Sequence, residues 1–192
     1  MTYDVAGVGA SSVDFVYTLP EWPGPIGPAA KLPIQHPSVA CGGQTAPAMA
    51  ACAALGLRAA FAGVTGDDAD GERMREALTR AGVDISHARI EGFQAYAVIL
   101  LTLDSPERIV LWKGTTTERV DPPSFPDSRL VHVDDTDEAQ ALSAATSARR
   151  AGRFVTTDID RVTDRTRDLM AAATHPILAI NPALYKSLPY DP

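Results

Sequence analysis

The sequence predicts an α/β protein with a mostly parallel sheet covered by helices on both faces and a small β-flap. Two observations carry this. Short apolar strand-like runs alternate with helical segments along most of the chain, which is the pattern of parallel sheets with crossover helices. A single hairpin pattern, from Ala95 to Trp112, interrupts that alternation.

The elements follow in order. Tyr3 to Gly9 (YDVAGVG) is an apolar run closed by glycine, the signature of a buried first strand. Asp14 to Thr18 reads as a short second strand. Pro20, Pro23, Pro25 and Pro28, with Pro33 just beyond, mark an irregular loop. Lys31 to His36 reads as a strand approaching a pocket. Gly43 to Leu55 is an alanine-rich helix, with Pro47 in its first turn and Gly56 as its stop. Arg58 to Val64 is a strand. Asp68 to Ala81 is an amphipathic helix, acidic at its start and closed by Gly82. Val83 to Ile90 is a strand or an extended link. Ala95 to Leu103 and Arg108 to Trp112 form the hairpin around the turn Asp104 to Glu107. Leu130 to Val133 and Phe154 to Ile159 are strands. Asp137 to Arg150, stopped by Gly152, and Val162 to Ala173 are helices. Ile177 to Ile180 begins another strand, and a proline-rich, frayed segment follows.

Bulk properties narrow the function. The chain has 192 residues, a net charge of -7 and a hydrophobic fraction of 45%. No basic stripe offers itself to nucleic acid. The longest apolar run, AVILLTL from Ala97, is too short for a helix to cross a bilayer. The N-terminus has no basic region ahead of its apolar run, so a cytoplasmic protein is expected, with Cys41 and Cys52 as reduced thiols. Cys41 either lines a pocket beside the glycine pair or is a small buried residue.

The segment from Cys41 to Gly71, CGGQTAPAMAACAALGLRAAFAGVTGDDADG, is the most informative. Paired glycines let the backbone turn tightly and let a ligand approach it. The helix behind them aims free N–H groups at the same place, which suits a polyhydroxylated or anionic small molecule. Asp14, just beyond the first strand, can accept hydrogen bonds from adjacent sugar hydroxyls or can close a turn. Tyr96 and Trp112 lie in the flap, where either can cover a sugar face or simply pack. GVGASS at Gly7 fails as a dinucleotide fingerprint because Ser12 stands where the third glycine belongs, and no P-loop pattern occurs. His36, His87, His132 and His175 are scattered and the cysteines lack metal spacing, so no metal site is expected. The clusters Asp67, Asp68, Asp70 and Asp134, Asp135, Asp137, Glu138 precede helices and read as compensation of helix N-terminal charge. Arg149 and Arg150 complement a helix C-terminus.

Taken together, Asp14 after the first strand, GGQTA at 42–46, LGLRAAFAGVTGDDADG at 55–71, AGVD at 81–84 and the hairpin with LDSPERIVLW resemble the ribokinase-like PfkB family of carbohydrate kinases. The resemblance implies a ribokinase-like central sheet between helices, one domain over residues 1–192, and a β-lid built from about 14–36 and 95–113. It implies a kinase that transfers the γ-phosphate of ATP, with Mg2+, to a sugar hydroxyl. By the same resemblance Asp14 holds sugar hydroxyls, Gly42 and Gly43 line the sugar pocket, Gln44 reaches the substrate or braces its loop, and Tyr96 belongs to the lid. The family's catalytic aspartate lies in a GAGD-type motif that does not occur in the second half of this sequence. Val64-Thr65-Gly66-Asp67 matches the sugar half instead, and no glutamate completes an N-x-x-E segment at Asn181. No catalytic residue, and no site for ATP or Mg2+, is therefore assigned. The expectation is the sugar-binding part of a kinase, incomplete and inactive as this chain, or alternatively a catalytically silent sugar-binding or regulatory module. AVILLTL is apolar on both strand faces, and family members often pair their lids, so a homodimer through the lid is expected.

Overall fold

The structure, a computed structural model, describes residues 2–115 and 124–179. Two sheets divide the work. The first is parallel, in the order β10-β9-β1-β4, with β1 (Tyr3–Val8) flanked by β4 (Ala59–Phe61) and β9 (Ser128–Asp134), and β10 (Phe154–Asp158) beyond β9. The second is the lid, in the order β3-β2-β7-β8, from β2 (Ser12–Leu19), β3 (His36–Gly42), β7 (Tyr96–Thr102) and β8 (Ser105–Lys113). A third, minor sheet pairs β5 (Val64–Thr65) with β6 (Arg89–Ile90).

Helices cover the parallel sheet on both faces because its strands are apolar on both faces. On one side α1 (Thr45–Ala54) and α2 (Ala69–Arg80) enclose Val5, Val13, Met49, Phe61, Met74 and Leu78. On the other, α3 (Glu138–Arg150) and α4 (Thr166–Ala172) bury Val8, Val131, Val133, Val155, Ile159 and Leu169. The alanines Ala141, Ala144, Ala145 and Ala148 form the stripe by which α3 lies close to the sheet. The caps behave as their sequences dictate. Asp68 accepts from Gly71 N and Asp137 from Gln140 N, each closing a helix start. Gly56, Gly82 and Gly152 take positive φ after their helices.

Several expected boundaries move. β2 runs from Ser12 to Leu19, longer than expected, because it pairs along its length with both β3 and β7. The third strand is His36–Gly42, not Lys31 to His36. It is an exposed edge strand held by its ladder to β2, so its own side chains carry little apolar signal. α1 starts at Thr45, since Gly43 has φ +91 and cannot be helical. The strand expected from Arg58 to Val64 divides into β4 and β5. The hairpin turn tightens to Leu103 and Asp104, with a register shift at Leu101/Thr102. The hairpin is not a separate flap: β7 joins β2 in parallel, so the lid is one four-stranded sheet. α4 begins at Thr166, shorter than expected. Ile177 to Ile180 gives only an isolated pairing, Leu178 with Ile159, and everything from residue 180 onward lies outside the described residues. No helix among the described residues is long and apolar enough to cross a membrane.

Candidate functional site: a sugar-sized cleft under the lid

Beyond the carboxyl ends of β1, β9 and β10, where ligands of open α/β sheets bind, the lid arches over a cleft of about 380 Å3. Asp14 stands on the cleft-facing side of the lid. The register places Asp14 between Ala40 of β3 and Ala97 of β7, two small neighbours that leave its carboxylate uncrowded. Ser12 Oγ donates to Asp14 Oδ1 at 2.7 Å. Oδ2 accepts no hydrogen bond among the described residues.

The two glycines are each required by a contact. A Cβ on Gly42 would lie 2.1 Å from Asp14 Oδ2. Gly43 has φ +91, and a Cβ there would also lie 2.8 Å from the Ala10 carbonyl oxygen. The same carbonyl accepts from Ala46 N at 3.0 Å, tying the start of α1 to the end of β1. Gln44 is braced at both ends of its amide. Its Nε2 donates to the Asp158 carbonyl at 3.4 Å and its Oε1 accepts from Thr136 Oγ1 at 3.1 Å.

The lid supplies the roof. Strand alternation puts Trp112, Val110 and Arg108 on the face of Asp14, Ala97 and Ile99. Tyr96 borders the cleft, but it is registered with Val13 on the other face and its ring meets Phe15 edge-on at 6.4 Å. Of the two aromatics noted in the sequence, Trp112 is the one aimed at the cleft. Cys41 is exposed and does not line the cleft. It borders a small apolar groove between α1 and α2 instead.

The opposite wall comes from Thr136, Asp160 and Arg161, none of them anticipated from the sequence. Arg161 reaches over Trp112, its guanidinium carbon 5.9 Å from the ring centroid. Burial, reinforced by the charge of Asp135, pushes the Asp160 carboxyl up from its ordinary range. Asp158 is pushed up by burial as well.

One acidic cluster is more than helix compensation. Asp137 and Glu138 do begin α3, but Asp134 and Asp135 are each 1% exposed and sit at the end of β9. Asp134 Oδ2 accepts from Ala10 N and from Thr45 Oγ1, each at 2.6 Å, while Oδ1 accepts from Thr136 N at 2.9 Å. It clamps together the three segments that border the cleft. Asp135 Oδ2 accepts from Arg161 N at 2.9 Å and so holds the opposite wall. The clue available was position: carboxylates ending an apolar strand (VHVDD) fall at the carboxyl edge of the sheet. Gln94, 3% exposed, was also missed. It donates to the Ser11 carbonyl at 3.0 Å and accepts from Gly66 N at 3.0 Å, fastening the base of the lid.

His132 is half-buried, with Nδ1 3.0 Å from Thr156 Oγ1, and loss of solvent around the ring pushes its imidazole down. Among the described residues no group of three or more His, Cys, Asp or Glu could hold a metal ion. Asn181 lies outside the described residues.

Comparison with known proteins agrees with this geometry. Residues 4–180 match the pfkB family carbohydrate kinase. The ATP-dependent ribose-1-phosphate kinase of Halopiger xanaduensis is 34% identical over 126 residues, which is 62% of this chain and 43% of that protein. A microbiome-derived acarbose kinase superposes with a TM-score of 0.76 at 26% identity, covering 93% of this chain and 61% of that one. The Arabidopsis thaliana ribokinase complexed with ribose and ATP superposes with a TM-score of 0.74 at 20% identity, over 93% of this chain and 60% of that one. The chain thus spans less than half the length of the curated relative and about three-fifths of the solved ones. With a ribokinase-like fold and a family match across nearly its whole length, the chain belongs to the PfkB family of carbohydrate kinases.

Proposed function

We propose that this chain forms the sugar-binding part of an ATP-dependent sugar kinase. Asp14 accepts hydrogen bonds from two sugar hydroxyls. Gly42 and Gly43 let the sugar lie against the backbone, Gln44 braces the pocket, and Tyr96 supports the lid from its far face. The observation that carries this reading is the Asp14 carboxylate, open at Oδ2 in a cleft roofed by an aromatic lid. The Halopiger relative, named as a kinase of a sugar derivative, supports a sugar as acceptor.

Phosphoryl transfer needs positioned phosphates, metal and a base or orienting group for the hydroxyl. The residues assigned here bind and orient the sugar, and none is assigned those roles. The 192-residue chain assayed alone is therefore expected to bind sugar, in the cytoplasm, without turning it over. A coupled ADP-release assay across hexoses, pentoses and nucleosides tests this. Turnover of about one per second, abolished by a point substitution in this chain, overturns it.

The lid is also proposed as the contact between two copies. Its cleft face exposes Val110 and Trp112, and its other face exposes Val39, Ile109 and Leu111. Exposed apolar area of this kind marks interfaces. Light scattering after size exclusion should show a dimer. Ile99→Lys with Leu101→Lys tests one face, and Ile109→Lys with Leu111→Lys the other. A wild-type monomer at tens of micromolar sinks the proposal.

A further inference from the structure

Trp112 is aimed at the cleft, yet the sugar site as assigned gives it no contact. The lid registers set it in one row with the group that binds. Asp14 of β2 stands opposite Ala97 of β7, and Ala97 stands opposite Trp112 of β8. Asp14 and Trp112 are therefore two strand spacings apart on the same face, roughly 9–10 Å, with only a methyl group between them. A sugar held by its hydroxyls at Asp14 extends across Ala97 towards the ring. An indole offers the C–H groups of such a ligand a large, rigid apolar face.

Arg161 already occupies that approach. Its guanidinium carbon lies 5.9 Å from the Trp112 ring centroid, and both residues line the cleft, so the contact crosses from the opposite wall to the lid. The two ends of the contact are not equally held. Arg161 N donates to Asp135 Oδ2 at 2.9 Å. Its Nη2 donates to the Asp135 carbonyl and lies 3.5 Å from Asp135 Oδ1, and its Nε is 3.6 Å from Asp160 Oδ1. Asp135 is 1% exposed and its Oδ1 accepts no hydrogen bond among the described residues, so Arg161 compensates a buried charge and is costly to move. Trp112 is 64% exposed and sits on β8, an edge of the lid sheet among the described residues. The guanidinium is fixed, and the ring is the part free to yield.

We propose that Arg161 is an autoinhibitory placeholder: it covers the cleft side of Trp112 in the free chain, and a sugar binds by lifting the ring off the guanidinium and taking its place. The inference rests on the sugar-binding reading above. Binding must break the cation–π contact, so the free chain holds sugar less tightly than Asp14 and Trp112 together would allow. An exposed contact of this kind is equivalent to about two- to fivefold in affinity.

Calorimetry on the full chain with ribose and glucose tests this. Arg161→Met should bind sugar about two- to fivefold more tightly than the wild type. Trp112→Leu should weaken binding, and adding Arg161→Met to it should then change nothing, because the placeholder has no ring to cover. Proton NMR gives a second reading on the unaltered protein, which decides the matter if Arg161→Met fails to fold. In the free chain the Trp112 ring current should shift the Arg161 side-chain protons, as its loss in Trp112→Leu identifies, and saturating sugar should abolish that shift. Arg161 protons that keep their shift under saturating sugar overturn the inference and leave the sugar site standing. So does a folded Arg161→Met that binds sugar no more tightly than the wild type. If neither sugar binds, the sugar-binding reading falls and the inference with it.

Discussion

Two corners of this molecule are built alike and serve different ends. At one, Gly9 meets Asp134; at the other, Gly42 meets Asp14. A Cβ on Gly9 would stand 2.2 Å from Asp134 Oδ2, and one on Gly42 would stand 2.1 Å from Asp14 Oδ2. In both, a glycine lets a main chain pass against a carboxylate. The difference lies in the remaining acceptor capacity. Asp134 is buried and takes three donors from three segments. Asp14 faces a cleft and takes one, from Ser12. A carboxylate saturated by its own chain is structural, and one left open at a cleft is available to a ligand.

The contrast breaks first at Asp134. Asp134→Ala strands the donors of Ala10, Thr45 and Thr136, each costing about 1–3 kcal/mol when buried and unpaired. We expect a loss of about 3–5 kcal/mol in urea unfolding. A loss below about 1 kcal/mol would show that water replaces the carboxylate freely. Asp14→Ala should do the reverse. Two charge-assisted hydrogen bonds lost to the sugar weaken binding about 100-fold or more, while the melting temperature barely moves. Unchanged affinity by calorimetry refutes the assignment.

Gly42→Ala sharpens the comparison at smaller scale. Its methyl must displace the Asp14 carboxylate, so sugar affinity should drop by about tenfold with the fold intact. In the double variant with Asp14→Ala, Gly42→Ala should add little, because both act through one group. Additive losses would mean that Gly42 contacts the ligand itself.

The smallest effect concerns a third carboxylate, partly satisfied. Tyr3 Oη donates to Asp84 Oδ2 at 2.6 Å, and with Ser86 it holds the Asp84 carboxyl down to about 2. An unfolded aspartate titrates near about 3.9. The stability this contributes is present above about pH 4 and is lost as pH falls towards about 2. Tyr3→Phe should raise the Asp84 pKa in an NMR titration and flatten the acid limb of stability. An unmoved Asp84 pKa removes Tyr3 as the cause.

Local grammar was legible in the sequence. Asp68 and Asp137 announced helix starts, three glycines announced helix ends, and Asp14 and Gly43 both border the cleft. The rest depended on pairings far apart in the chain. Asp134 looks like another helix-start acid until Ala10 and Thr45 arrive from 124 and 89 residues away. Whether Tyr96 or Trp112 faces the cleft turns on the β2–β7 and β7–β8 registers, which no single strand encodes. β3 was misplaced because an exposed edge strand is stabilised by its neighbour's main chain and not by a side-chain pattern of its own.

The Asp134 clamp also sets an order of events during synthesis. Thr45 emerges 89 residues ahead of the carboxylate that accepts its hydroxyl. At roughly 5–20 residues per second, that interval lasts about 4–18 s. For all of it the start of α1 and the end of β1 lack their shared acceptor. The lid strands β2, β3, β7 and β8 are all translated before β9 is complete. The nascent chain therefore carries an apolar lid before the floor beneath it is secured, and that window is when a chaperone would find it.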